Sequence, residues 1–120
     1  MPFDAPDALN QLAALGDAEL DALAFGVVRM SLDGTVTAYN ATESQSSHLS
    51  REATLGRHFF TEVAPCTNNY LVAQRFLDEA ELDATIPYVF TFRMRPTPVQ
   101  LRMLRSATSS QMFLLVERGA

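Results

Sequence analysis

Cys66 is the one cysteine of this 120-residue chain, and its thiol is the one strong soft nucleophile present. The chain has no lysine, so a Schiff base, a phosphate-loop lysine and a lysine general base are excluded by composition. A group held covalently would therefore be held at Cys66. Taken alone, a single cysteine reads as a small buried hydrophobe, because free cysteine is among the most buried residue types. Its neighbours carry other chemistry. Tyr39, Glu43 and Ser47 recur every four residues, and Phe59, Phe60, Pro65 and Thr67 surround the cysteine. A tyrosine at a strand end is most often half-buried and a glutamate in a polar turn is most often solvated, so neither marks a site by itself. His58, eight residues before Cys66, opens a cysteine–histidine nucleophile reading, a thiol hydrolase or transferase, although no third orienting group or glycine-rich oxyanion element stands nearby. His48 falls in a serine-rich loop and is expected to be exposed. Two scattered histidines and one cysteine give no metal-ligand spacing.

The elements that must position these groups follow from the pattern. Residues 7–15 put Leu9, Leu12 and Leu15 on one helical face, with Asp7 as cap and Gly16 as stop. A second short helix starts at Asp17, with Glu19 and Asp21 suited to its amino end. Helices this short are marginal alone, so residues 1–25 should hold only by packing on the main body and are a candidate moving part. Residues 27–30 and 35–39 read as strands around the Asp33-Gly34 hairpin turn. From Asn40 to Arg51 the chain is small and polar, with too little apolar area for a regular core element. Ser50 caps a short helix that Gly56 closes, and residues 58–63 form a short helical or irregular piece. Residues 70–84 are the longest helix candidate, with Leu71, Val72, Phe76, Leu77 and Ala80 facing the core. Residues 86–94, 99–104 and 112–116 read as strands, with a break at Pro96-Thr97-Pro98. Strands grouped at both ends, without βαβ alternation, argue a five-stranded antiparallel sheet of α+β type.

Composition bounds the rest. At 48% hydrophobic the chain fits one domain with one core. A net charge of −5 argues against nucleic-acid and anionic-membrane surfaces. No basic leader and no apolar run of membrane length is present, so a cytoplasmic protein is expected. Charge is uneven: residues 1–50 carry seven acids against Arg29, and residues 91–120 carry Arg93, Arg95, Arg102, Arg105 and Arg118 against Glu117. Solvated faces explain this, and docking of the acidic front on the basic back is the alternative.

The run from Tyr39 to Glu43, then Ser47, Phe59-Phe60 and Ala64-Pro65-Cys66-Thr67, resembles the photoactive yellow protein family, blue-light receptors of the PAS superfamily. The match runs without a gap from Leu20 to Phe76 and resumes at Phe90 and at Met94-Arg95-Pro96-Thr97. The resemblance implies a PAS fold: a five-stranded antiparallel sheet flanked by short helices and one longer connecting helix, with an N-terminal cap over residues 1–25 and a core over residues 26–120. It implies a para-coumaric acid (4-hydroxycinnamic acid) chromophore joined to Cys66 as a thioester and held as a phenolate. Tyr39 and a protonated Glu43 would donate to that phenolate, since a buried charge without donors costs many kcal/mol. Ser47 would fix the Tyr39 rotor and the Cys66 N–H would hold the thioester carbonyl. Thr67, Phe59, Pro65 and Phe90 would line the pocket, and Met94 would assist recovery, so that its loss slows the return to the dark state. Light would isomerise the double bond from trans to cis, Glu43 would give up its proton, and the unpaired carboxylate would loosen the N-terminal cap.

The chain departs from the family at three positions. Leu49 stands where an arginine covers the chromophore, so either Leu49 or the nearby Arg51 closes the pocket, with the apolar closure favoured. Phe92 replaces a tyrosine near the ring, and Ser47 replaces a threonine. On this reading the protein is a monomer, is not an enzyme, and signals to a downstream protein partner. A PAS interaction module without a ligand, and a cysteine enzyme using His58, are the alternatives.

Overall fold

The C-terminal strand is apolar on both faces, which is what places it in the middle of a sheet. In the computed structural model, which describes residues 1–91 and 95–119, this strand is β5, Gln111–Arg118. Met112, Leu114 and Val116 are buried on one side and Phe113 and Leu115 on the other, as the period of two requires. The other strands are β1 (Gly26–Ser31), β2 (Val36–Tyr39), β3 (Leu82–Phe90) and β4 (Thr97–Arg105). They form one antiparallel sheet in the order β2-β1-β5-β4-β3.

Each face of the sheet closes its own core. One contains Val28, Met30, Tyr39, Phe59, Phe76, Phe90 and Leu114, with Cys66 and Leu49 packed against it half-buried. The other contains Leu12, Leu20, Phe25, Val27, Leu104, Phe113 and Leu115. This second core is where α1 (Ala8–Ala13) and α2 (Asp17–Asp21) sit. Helices of six and five residues cannot hold alone, and burial of Leu12 and Leu20 against the sheet is what keeps them. Arg102, on the same face of β4 as Leu104, binds Asp83 through two bonds of 2.8 Å and donates to the carbonyls of Phe3 (3.0 Å) and Ala5 (2.8 Å). The front of the chain is thus tied as well as packed.

Several expectations are corrected. The polar stretch after Tyr39 forms a regular helix, α3 (Ala41–Ser47), which buries Glu43 and Ser47. The small apolar area does not prevent the helix, because Asn40 caps it and its buried polar side chains find partners outside it, Glu43 in Arg118 and Ser47 in Tyr39. The long helix over 70–84 is a six-residue helix, α5 (Ala73–Asp78). Pairing with β4 claims Leu82 to Ala84, and Leu71 and Leu77 are exposed. The connecting helix is therefore short. The sequence break at Pro98 falls inside β4, where Pro98 opposes Val89. Asp7 accepts from the Asn10 side chain rather than capping a backbone N–H, and α2 is entered at Gly16, whose N–H is taken by Glu19 at 3.1 Å. The short helix α4 (Arg51–Thr54) has its expected Ser50 cap. Phe92 and Met94 lie outside the described residues.

Candidate functional site

The site is assembled where β2 hands over to α3. Asn40 occupies the junction, 2% exposed, and uses its whole side-chain amide. Its Oδ1 accepts from Glu43 N (3.0 Å), capping α3, and from Val27 N (2.9 Å). Its Nδ2 donates to the carbonyls of Leu20 (2.8 Å) and Phe25 (3.0 Å). One residue therefore stitches α2, β1 and α3 together. With that start, Glu43 and Ser47 fall one helical turn apart on the same buried face.

Tyr39 ends β2 with its hydroxyl 2.9 Å from Ser47 Oγ. Ser47 Oγ also accepts the Leu49 N–H at 3.2 Å, and either hydroxyl can donate in the Tyr39–Ser47 bond; with Ser47 donating, the phenolic proton is free for a third partner. Burial first, and the nearby Glu43 charge second, push the Tyr39 phenol well above its usual range, so it stays a donor. Glu43 is 1% exposed and meets a cation the sequence reading left without a role. Arg118, at the end of β5, donates Nη1 to Oε1 at 2.6 Å and Nη2 to Oε2 at 3.0 Å. Its guanidinium carbon lies 5.7 Å from the Phe90 ring centroid. Burial pushes the Glu43 carboxyl up from the ordinary range, and the Arg118 bonds and charge pull against it. The space around that carboxylate is tight, for a Cβ placed on Gly26 of β1 would collide with Glu43 Oε1.

Cys66 is half-buried in a 3-10 turn, Pro65–Thr67, that follows a π-helical turn over Phe59–Val63. The wide turn buries Phe59, Phe60 and Val63 together. Thr67 is buried and donates to Ala64 O at 2.7 Å, which locks the tight turn. The Cys66 carbonyl receives the Tyr88 hydroxyl at 2.5 Å and Asn69 Nδ2 at 3.1 Å. The main chain that carries the thiol is thus held from two sides.

The other expected residues divide. Phe59 and Phe90 are buried in the core that contains Tyr39. Leu49 packs against that core, whereas Arg51 is drawn to Asp21 (2.5 Å) and to the Tyr39 carbonyl (3.0 Å). Pro65 is exposed at the amino end of the turn. His58 bonds Thr61 through Nδ1 (2.9 Å) and turns Nε2 toward Gly34, where an added Cβ would stand 2.7 Å away. Neither ring nitrogen is aimed at Cys66, which removes the geometric basis for a cysteine–histidine pair. No group of three metal-ligating side chains occurs among the described residues.

Asn40, Asn69, Tyr88, Gly26 and Arg118 were not anticipated. Two had a signal: the alternation Met112, Leu114, Val116 continues to Arg118, and Ile86, Tyr88, Phe90 share one face of β3. The strand period puts Arg118 on the same face of β5 as Leu114 and Val116, and the assembled sheet turns that face toward Tyr39.

No family model matches the chain. A photoactive yellow protein of Rhodothalassium salexigens is 36% identical over 119 residues, covering 97% of this chain and 95% of that protein. Among solved structures, the photoactive yellow protein domain from the sensor histidine kinase Ppr of Rhodospirillum centenum superposes with a TM-score of 0.83 at 38% identity, over 91% of this chain and 98% of that one. The PAS domain of an HTR-like protein from Haloarcula marismortui superposes at 0.69 with 13% identity, over 94% and 98%, which shows the fold alone.

Proposed function

The chain belongs to the photoactive yellow protein family and has the PAS fold, and from that premise we propose that it is a light sensor carrying para-coumaric acid as a thioester on Cys66. The observation that supports this best is the buried polar set Tyr39, Ser47 and Glu43, of which Tyr39 belongs to the core against which Cys66 packs. Such a set suits a buried phenolate, which needs hydrogen-bond donors and little water. When bound, the chromophore supplies visible absorption and a double bond that light can isomerise.

The chain's residues have distinct tasks in this reading. Cys66 Sγ is the attachment atom, on a main chain steadied by Tyr88 and Asn69. Tyr39 donates its proton and Ser47 keeps the hydroxyl turned. Glu43 carries a proton in the resting loaded state and gives it up after light. Thr67, Phe59 and Phe90 shape and dry the site, with Leu49 on its flank, and Met94 and Phe92 belong to the proposal from the sequence alone. Loss of the proton from Glu43 is transmitted through α3 and Asn40 to α2, loosening residues 1–25 for a downstream protein partner. A cytoplasmic location and a monomeric state complete the proposal.

The test is reconstitution. Chain supplied with activated para-coumaric acid should turn yellow and gain the mass of the acyl group, and Cys66→Ala should abolish both. Colour that survives this substitution sinks the attachment. A colourless, unmodified wild type would leave the ligand-free PAS module in its place.

A further inference from the structure

The Glu43–Arg118 pair alters how charge is balanced at this site. Both carboxyl oxygens accept from the guanidinium, at 2.6 Å and 3.0 Å. A neutral carboxyl carries a proton on one of those oxygens and suits a forked donor poorly, so the geometry is that of an ionised Glu43. The Glu43 side chain is 2% exposed and that of Arg118 19%, which removes most solvent screening. Tyr39 faces the carboxyl from β2, Arg118 reaches it from β5, and Gly26 of β1 lies against it. Phe90 of β3 lies against the guanidinium. Among these groups Arg118 carries the positive charge.

Resting on the reading of this site as a chromophore pocket, we infer that Arg118 is its resident counter-ion: a single negative charge moves between Glu43 and the phenol oxygen, and Arg118 balances it in either place. The proton count closes. When a neutral phenol enters, its O–H bond breaks with the electron pair left on the phenol oxygen, and the proton forms an O–H bond on Glu43. The carboxylate becomes neutral, the phenol becomes anionic, and with Arg118 the sum stays zero. The reverse transfer restores the carboxylate next to a guanidinium that is already there. On this inference the carboxylate is not left unpaired after light, which departs from what the family resemblance implies. The charge returns to a partner, so the state after transfer is stabilised and its decay slowed.

The deciding experiment needs no chromophore. In unloaded chain labelled with 13C at glutamate carboxyls, the Glu43 signal, assigned by its absence in Glu43→Gln, is titrated. The wild type should show Glu43 ionised at neutral pH, and Arg118→Gln should raise its titration midpoint by about 1–3 pH units. Arg118→Lys, which keeps the charge without the fork, should fall between and serves if the glutamine variant does not fold. Glu43 neutral in the unloaded wild type, or a midpoint indifferent to both substitutions, overturns the inference. In loaded chain Arg118→Gln should speed the return to the dark state. Failure to take up chromophore counts against the proposed function, while the unloaded titration decides the counter-ion separately.

Discussion

Glu43 is tolerated at 1% exposure because every direction around it is specified. Arg118 takes both oxygens, Asn40 takes its N–H, and Gly26 leaves room for the carboxyl. Gly26 is the least forgiving of these. Gly26→Ala would drive a methyl into an oxygen that Arg118 holds in place, so neither side can yield cheaply. The expected cost is about 1–3 kcal/mol, the range for overpacking a close-packed interior. A urea melt of the unloaded chain measures it, and an unchanged midpoint would show that the carboxyl is free to move. Breaking the ion pair from one end leaves a buried charge behind, so Arg118→Gln should cost stability as well as shift the Glu43 titration.

At the level of elements, two ties connect the front of the chain to the sheet, and they fail differently. Asn40→Ala removes the α3 cap and strands Val27 N and the Leu20 and Phe25 carbonyls. A loss of about 2–4 kcal/mol follows from several buried groups left unpaired, read as a lower denaturant midpoint of the whole domain. Arg102→Met acts locally. It keeps an unbranched apolar stem but releases Asp83 and the carbonyls of Phe3 and Ala5. Amide hydrogen exchange in residues 1–15 should then rise by tenfold or more, as expected for loss of roughly 1.4 kcal/mol or more of local protection, while β4 and β5 stay protected. Equal loss of protection in the strands would mean that Arg102 holds the sheet and not the front segment. Polar stitching at Asn40 also explains why α3 forms from a sequence with almost no apolar face, against the expectation from composition.

Across the whole molecule the acids fall into two groups with opposite effects. Asp21, Asp83, Glu62 and Glu79 are held below their usual range chiefly by hydrogen bonds, to Arg51, Arg102, the His58 N–H and Arg75 respectively. Asp33, accepting from Ser31 and Thr35, is held down to about 2. A depressed acid stabilises the fold above its unfolded pKa and loses that contribution as pH falls through the folded value. Melting temperature should therefore drop from about pH 4 downward and keep dropping to about pH 2. Because these carboxylates are largely exposed, salt should flatten the slope. Glu43 works the other way: its raised pKa means that stability declines as pH climbs through the interval above about 4. A melting temperature that rises on acidification below about pH 4 would refute the assignment of the first group.

What the amino-acid sequence settled by itself is what short spacing can carry. Strand periodicity, the Asp33-Gly34 turn and the lack of βαβ alternation were enough for a five-stranded antiparallel sheet. The grouping of Tyr39, Glu43 and Ser47 came from the resemblance to the photoactive yellow protein family, since the polar stretch that carries Glu43 and Ser47 gave no sign of the helix that joins them. The tertiary structure decided the remainder. It gave Glu43 a cation 75 residues away, brought Tyr88 and Asn69 onto the Cys66 carbonyl, sent Arg51 to Asp21, and shortened the helix over 70–84. These outcomes depend on which strands lie side by side. β5 sits between β1 and β4, and the competition between a helix and a β3–β4 ladder for residues 82–84 is resolved by that pairing energy. Local pattern carries no information about partners that only sheet closure brings within hydrogen-bond reach.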